Sequence, residues 1–302
     1  MQENETNETV RPAKAGFVAV VGRPSAGKST LINLFCGEKV SIVSPVPQTT
    51  RDAIRGIVNR EQGQLVFLDT PGRYKSEKKD NKKLRDISTQ AVADCDLLLY
   101  VIDATRPPGT EEADIAALLL PHAERTVVAV NKTDDPKAEP ENARSFIGET
   151  IPALGPNRVF EVSAKTGDGT RPLLAAMFDM ADEGRPFYDG EFYTDQEVDF
   201  RIAEIIREQT INRLQAELPH AIHVKIADAQ FTDGSSPAES GSGDRSKLWV
   251  RAFIVVERES QKGIVVGKGG AMIREIRLAS LKELDKIFDW KITLDLRVKT
   301  GK

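Results

Sequence analysis

A chain of 302 residues is long for one hydrophobic core and favours two domains. With 40% hydrophobic and 29% charged residues the composition is that of a globular protein, and no apolar run approaches the roughly 18 residues of a helical membrane span. The net charge of −4 hides an asymmetry: residues 1–195 carry 24 basic and 30 acidic side chains, whereas from Lys262 onward the count is 10 to 5, an excess suited to a polyanionic partner.

The start, MQENETNETVRPAK, is polar and acidic, so residues 1–15 are expected to form a disordered tail and not a signal peptide, with the cytoplasm as compartment. Over residues 16–182, short runs rich in Val, Leu and Ile (GFVAVVG, QLVFLDT, DLLLYVID, TVVAVNK, NRVFEVS) alternate with helix candidates (KSTLINLFCG, NKKLRDISTQAVADC, TEEADIAALLLP, TRPLLAAMFDMAD). That alternation predicts an α/β domain with a mainly parallel, doubly wound sheet, its ligand held at the carboxyl ends of the strands. The stretch 183–196, EGRPFYDGEFYTDQ, breaks the pattern and is expected to be a linker whose aromatic residues pack between domains.

Residues 197–302 predict a smaller α+β domain. A helix carries Ile202, Ile205, Ile206 and Leu214 at helical spacing, and the strands HAIHVKIADAQ and KLWVRAFIVVERE flank a flexible Ser/Gly-rich loop. Then come a glycine turn (GKGG), the helix AMIREIRLASLKELDKIF and the strand WKITLDLRV. Cys36 and Cys95 show no CxxC spacing and read as small buried side chains. His122, His220 and His223 lack ligand spacing and read as structural or surface residues.

GRPSAGKS, Gly22 to Ser29, fits GxxxxGK[ST] directly between a strand and a helix, the context in which that pattern forms a phosphate-binding loop. Gly22, Ser25, Ala26 and Gly27 supply a backbone that can wrap phosphate oxygens, and Thr30 follows in the helix. Lys28 would reach the β- and γ-phosphates and Ser29 would offer its hydroxyl to Mg²⁺. Asp69, in DTPG, would support Mg²⁺, and the amide of Gly72 could bond the γ-phosphate. In the loop PQTTRD, Thr50 is the candidate Mg²⁺ ligand of the triphosphate state and Thr49 the alternative.

The base follows from NKTD. Asp134 can accept two bonds from guanine N1–H and N2–H₂, which adenine does not offer, while Asn131 can bridge the base edge and neighbouring loops and the stem of Lys132 can lie along the ring. Ser163, Ala164 and Lys165 would bring backbone amides near the guanine carbonyl. In the second glycine loop, Gly267, Lys268, Gly269 and Gly270 form a GxxG turn able to lie against a nucleic-acid backbone, with Lys268 and Arg274 as phosphate contacts and Lys262 and Arg277 as weaker ones. Ile264, Val265, Val266 and Ile273 read mainly as packing, with one or two able to floor a base groove.

The order and spacing of PQTTRD, DTPG, NKTD and SAK resemble the translation-factor-related small GTPases. AEIIREQTINRLQAELPHAIHVKI and GIVVGKGGAMIREI resemble the Era family, a P-loop GTPase domain fused to a type II KH domain, over about residues 16 to 300. The resemblance implies GTP and GDP as nucleotides with Mg²⁺, and a ribosome-assembly role on the small subunit through the 3′ end of its 16S rRNA. It also implies loose peripheral association of some members with the inner face of the cell membrane; no stable homo-oligomer is expected. A membrane-surface signalling GTPase and a nucleotide-stabilised RNA scaffold are the competing readings. Intact Lys28, Ser29, Asp69 and Gly72 argue against the scaffold, and the lack of a lipidation motif or basic anchor helix weakens the membrane reading.

Two residues depart from the family pattern. Ser25 stands where the family usually has an Asn linked in related GTPases to a potassium ion, so potassium activation is not expected to carry over. Arg73 follows DTPG, where Ras-like enzymes place a catalytic Gln, so intrinsic hydrolysis should be slow. Arg73 reads either as a mobile switch residue or as an arginine finger in cis.

Overall fold

The computed structural model describes residues 13–44, 54–70, 79–214, 222–232 and 246–301. The chain divides into two compact units: Met1–Gly37 with Asp52–Thr194, and Glu38–Arg51 with Asp195–Lys302.

In the first unit the five predicted strands and one more, β2, form a sheet ordered β2(Ile54–Arg60), β3(Gly63–Asp69), β1(Lys14–Val21), β4(Leu97–Asp103), β5(Thr126–Asn131) and β6(Val159–Glu161). All neighbours pair in parallel except β2 with β3. β4 and β5 are buried along their whole lengths because helices cover both faces. One face packs α1(Lys28–Cys36) and α5(Thr170–Met180) through Leu31, Phe35, Leu173 and Met177. The other packs α2(Lys79–Asp94), α3(Thr110–Leu119) and α4(Pro140–Thr150) through Val92, Ile115, Leu119 and Ile147. Both cysteines are free, Cys95 buried and Cys36 partly so.

The chain order departs from expectation at three places. Lys14 and Ala15, assigned to the tail, open β1. β2 and α4 were not predicted: IRGIVNR mixes glycine with charge, and α4 buries only Ala143 and Ile147. The supposed linker is fastened to the first unit. β7(Asp182–Glu183) pairs with β1, and the following residues run along β2, whose Ile57 amide donates to Tyr193 O at 2.9 Å.

The buried side chain of Gln64 anchors that strap. Its Oε1 accepts the amides of Phe187 (2.7 Å) and Tyr188 (3.0 Å), and its Nε2 donates to Tyr188 O (2.8 Å). Asn59 adds bonds to Gly190 O and Phe192 O. The linker aromatics are not sequestered: Phe187 packs on Phe17 with tilted rings, centroids 4.5 Å apart, yet, like Phe192, is half exposed. Gln64→Leu should cost about 2–3 kcal/mol by leaving these backbone groups unpaired. A thermal melt of the full chain checks this, and an unchanged transition would show that the strap adds nothing.

The second unit has a three-stranded sheet ordered β10(Lys291–Thr300), β9(Lys247–Val256), β8(His223–Phe231), with β9 parallel to β10 and antiparallel to β8. α6(Val198–Arg213) and α8(Ala271–Ile287) bury Ile202, Ile206, Ile276 and Leu284 against Val250, Ala252 and Ile254 of β9. Glu208 of α6 accepts the Val43 amide (2.8 Å) and pairs with Lys39, so this unit includes a stretch that composition had assigned to the first domain. The parallel step from β9 to β10 requires a crossover. It holds an unpredicted short helix, α7(Glu259–Val266), so the order is helix, strand, strand, helix, turn, helix, strand. Residues 1–12, 215–221 and 233–245, which include most of the expected tail and Ser/Gly-rich loop, lie outside the described residues. Among the described residues no helix is long and apolar enough to cross a membrane.

Candidate functional site

The loop from Gly22 to Gly27 leaves β1 and enters α1, and its glycines are fixed by close approach. A Cβ on Gly22 would lie 2.4 Å from Val101 O, and one on Gly27, where φ is +98°, would lie 2.2 Å from Asn131 Nδ2. Ser25 is left-handed too, at φ 63°, and its Oγ is buried with no hydrogen-bond partner. Lys28 is buried, and its Nζ donates to Gly22 O (3.1 Å) and Arg23 O (3.0 Å), folding the ammonium under the loop. Burial lowers the Lys28 pKa, opposed by the negative charges of Asp69 and Glu112. Parallel pairing sets Asp69, at the end of β3, beside Val20, and the Ser29 hydroxyl donates to its carboxylate at 2.6 Å. A hydroxyl and a carboxylate side by side are hard oxygen donors suited to Mg²⁺.

On the base side the predicted residues are joined by hydrogen bonds. Asn131 ends β5; its Nδ2 donates to Ala26 O (2.8 Å) and its Oδ1 accepts the Ala164 amide (2.9 Å). It therefore ties the phosphate loop to the SAK loop, and both ends of its amide are used on loops, not on a base edge. Thr30 follows Ser29 in the first turn of α1. Asp134 Oδ1 accepts the Ser163 hydroxyl (2.7 Å), and Lys165, mostly exposed, places Nζ 3.6 Å from Asp134 Oδ2. The Ser163 bond is the main reason the Asp134 carboxyl lies below its ordinary range.

Asp103 escaped the sequence reading. It ends β4 opposite Asn131, and its Oδ2 accepts Lys132 Nζ at 2.7 Å, fixing a lysine whose own backbone is left-handed (φ 68°). Burial pushes its carboxyl up, but bonds from Lys132 and Thr105 outweigh that and hold it below the usual range. A carboxylate closing the strand DLLLYVID, at the sheet edge where ligands bind, was the signal available. Thr49, Thr50, Gly72 and Arg73 lie outside the described residues.

In the second unit Gly267 ends α7, and Lys268–Gly270 make one 3₁₀ turn before α8. The glycines divide by role. Gly267 is needed for the fold, since at φ 72° its Cβ would lie 2.7 Å from Met272 Cβ. Gly269 (φ 61°) and Gly270 (φ 78°) have nothing within 4 Å of a Cβ, so their bare backbone faces open space. Lys268 and Arg274 are exposed, whereas Lys262 is paired with Glu259 at 3.0 Å. Val265 is core, and Ile264 is 53% exposed beside the turn, leaving it as the apolar candidate for a base.

Residues 17–132 match the family described as a 50S ribosome-binding GTPase, and residues 217–302 match the KH domain family. The chain is 45% identical to the GTPase Era of Treponema denticola over 95% of both chains, and 39% identical to that of Borreliella burgdorferi over 96% of this chain and 95% of the other. The chain belongs to the Era family of GTPases. Two solved Era structures match at a TM-score of 0.86 and 31% identity: a point variant of Aquifex aeolicus Era bound to GDP·AlF₄⁻, and Era with MgGDPNP and nucleotides 1506–1542 of 16S ribosomal RNA. This chain covers 94% of each. Ser25 stands at a left-handed position, a conformation that Asn and Asp tolerate better than serine does.

Proposed function

We propose that this Era-family GTPase is a ribosome-assembly factor whose KH domain binds the single-stranded 3′ end of small-subunit 16S rRNA. GTP hydrolysis would set when that RNA is held. The observation that carries this reading is the open backbone at Gly269 and Gly270, beside exposed Lys268 and Arg274, in the same chain as a hydrogen-bonded guanine clamp. One family description names the 50S ribosome, while the solved RNA complex of a relative holds 16S RNA. The latter guides the proposal because that relative matches along the whole chain, KH domain included, whereas the 50S description rests on residues 17–132 alone.

In this reading the loop amides from Gly22 to Gly27 and the helix start at Lys28–Thr30 hold the phosphates, and Asn131, Lys132, Asp134, Ser163, Ala164 and Lys165 form the base site. With two of its three N–H donors on the Gly22 and Arg23 carbonyls, Lys28 would turn its remaining donor and its charge to the β- and γ-phosphates. Mg²⁺, held by Ser29 and Asp69 with Thr50 in the triphosphate state, would neutralise charge on the transferred phosphoryl group. The amide of Gly72 would bind the γ-phosphate, and its release after hydrolysis frees the following segment. Water faces no glutamine at position 73, so turnover is slow until a partner assists.

The test is crosslinking to RNA in lysate supplied with GDP or a non-hydrolysable GTP analogue, then sequencing the attached RNA. Enrichment of the 16S 3′ end is expected, and equal coverage of all ribosomal RNA would sink the assignment. A second measurement addresses Ser25: hydrolysis rates in KCl and NaCl at equal ionic strength should agree. A several-fold KCl preference that survives Ser25→Ala would show that backbone groups suffice for the ion.

A further inference from the structure

Under the phosphate loop lies a buried polar chain of Arg23, Glu112 and Tyr100. Arg23, second residue of the loop, is only 9% exposed, and its Nε sits 2.7 Å from Oε1 of Glu112, a fully buried carboxylate in the first turn of α3. The other oxygen of Glu112 accepts the hydroxyl of Tyr100, fully buried in β4. Arg23 Nε and Nη2 and Glu112 Oε1 are buried with no directed hydrogen bond, so the Arg23–Glu112 pair is a close ion contact.

Stability alone does not account for this arrangement. Replacing a buried ion pair by apolar side chains of similar volume is commonly neutral or stabilising, and an unpaired guanidinium nitrogen adds cost. What the chain does is local. The carbonyl of Arg23 receives Lys28 Nζ at 3.0 Å and the Ala26 amide at 3.3 Å, so fixing Arg23 fixes the carbonyl from which the lysine and the loop turn are hung. The 2.7 Å ion contact in a dry site holds the guanidinium, and with it the Arg23 backbone, in place.

We propose that Glu112 and Tyr100 are positioning residues for GTP hydrolysis, acting through the Arg23 guanidinium to fix the loop backbone so that Lys28 and the loop amides meet the phosphates in one geometry. The inference rests on the phosphate-loop reading, and the test separates the two. The variant Arg23→Met, Glu112→Leu, Tyr100→Phe replaces the chain with an apolar cluster in the full-length protein. Its melting temperature without nucleotide should match or exceed that of the wild type, while single-turnover GTP hydrolysis falls about tenfold or more, since small misplacements of a catalytic frame are costly. A rate less than about tenfold below wild type in this folded variant overturns the proposal. If the triple variant does not fold, Glu112→Gln decides by the same threshold, because it keeps the volume and an acceptor for Tyr100 while removing the ion pair. Lys28→Ala is the control: if it leaves GDP affinity and turnover intact, the phosphate-loop reading falls and the positioning proposal with it. If Lys28→Ala abolishes turnover while the apolar variant is normal, only the positioning proposal fails.

Discussion

Asp134→Asn should lower GDP affinity by roughly a hundredfold or more and raise affinity for xanthosine diphosphate. In the proposed site the carboxylate would accept from guanine N1–H and N2–H₂, and two charge-assisted bonds are worth about 3–6 kcal/mol. An amide at the same position can accept from N1–H but sets its own NH₂ against the guanine 2-amino group, donor against donor. Xanthine carries a carbonyl where guanine carries its amino group, so it pairs with the amide. Wild-type protein should reject ADP by a larger factor still, because the buried polar groups would be left unpaired. Calorimetry with the three diphosphates measures this, and equal ADP and GDP affinities would overturn the guanine assignment. The pH dependence follows from the same carboxylate. The Ser163 hydroxyl holds the Asp134 carboxyl below its ordinary range, so the ionised form that binding needs persists through that range and is lost only as pH falls below it. GDP affinity should therefore hold from pH 7 down to about 5, against an ordinary aspartate pKa of about 3.9. Ser163→Ala should shift the acid loss upward, and an unchanged onset would show that the hydroxyl does not tune the site.

The first unit was legible in the sequence because its central strands are buried on both faces. DLLLYVID and TVVAVNK are continuous apolar runs, and each ends in a residue of the site. Glycine spacing placed the phosphate loop because a Cβ cannot fit against Val101 O or Asn131. What escaped depends on tertiary partners. α7 is ESQKGIVV, with a glycine and β-branched residues and only Val265 buried. Its start is secured by Gln261, whose side chain accepts the amides of Glu257 and Arg258 at 2.9 Å. The strap looked like a linker because its anchor, Gln64, lies more than a hundred residues upstream. Asp103 and Glu112 escaped for the same reason: each works through a cation remote in sequence, Lys132 for one and Arg23 for the other. Nucleotide motifs are local in sequence. Their supports are not, and period or propensity cannot reach them.

The glycine turn of the second unit permits the sharpest separation of the two proposed activities. Gly269→Asp together with Gly270→Asp should lower affinity for an oligonucleotide matching the 16S 3′ end by at least about tenfold, the loss of one or two phosphate contacts plus repulsion. GDP affinity should hardly change, because the residues proposed to hold GDP, in 22–30 and 131–165, belong to the other unit. Both glycines are left-handed and face open space, so new side chains meet no protein atom but do strain the backbone. Asp and Asn are the residues that tolerate that conformation best. The Asn–Asn pair therefore reproduces the strain without the charge and should bind with intermediate affinity. Gly267 must stay, since its Cβ would strike Met272 and confound folding with binding. Lys268→Ala should remove one phosphate contact and reduce the salt slope of binding by about 0.7. Fluorescence anisotropy reads all three variants after circular dichroism has shown them folded. If the folded Asp pair binds this RNA like the wild type, the turn is only a connection between α7 and α8, and the RNA must be held elsewhere on the chain.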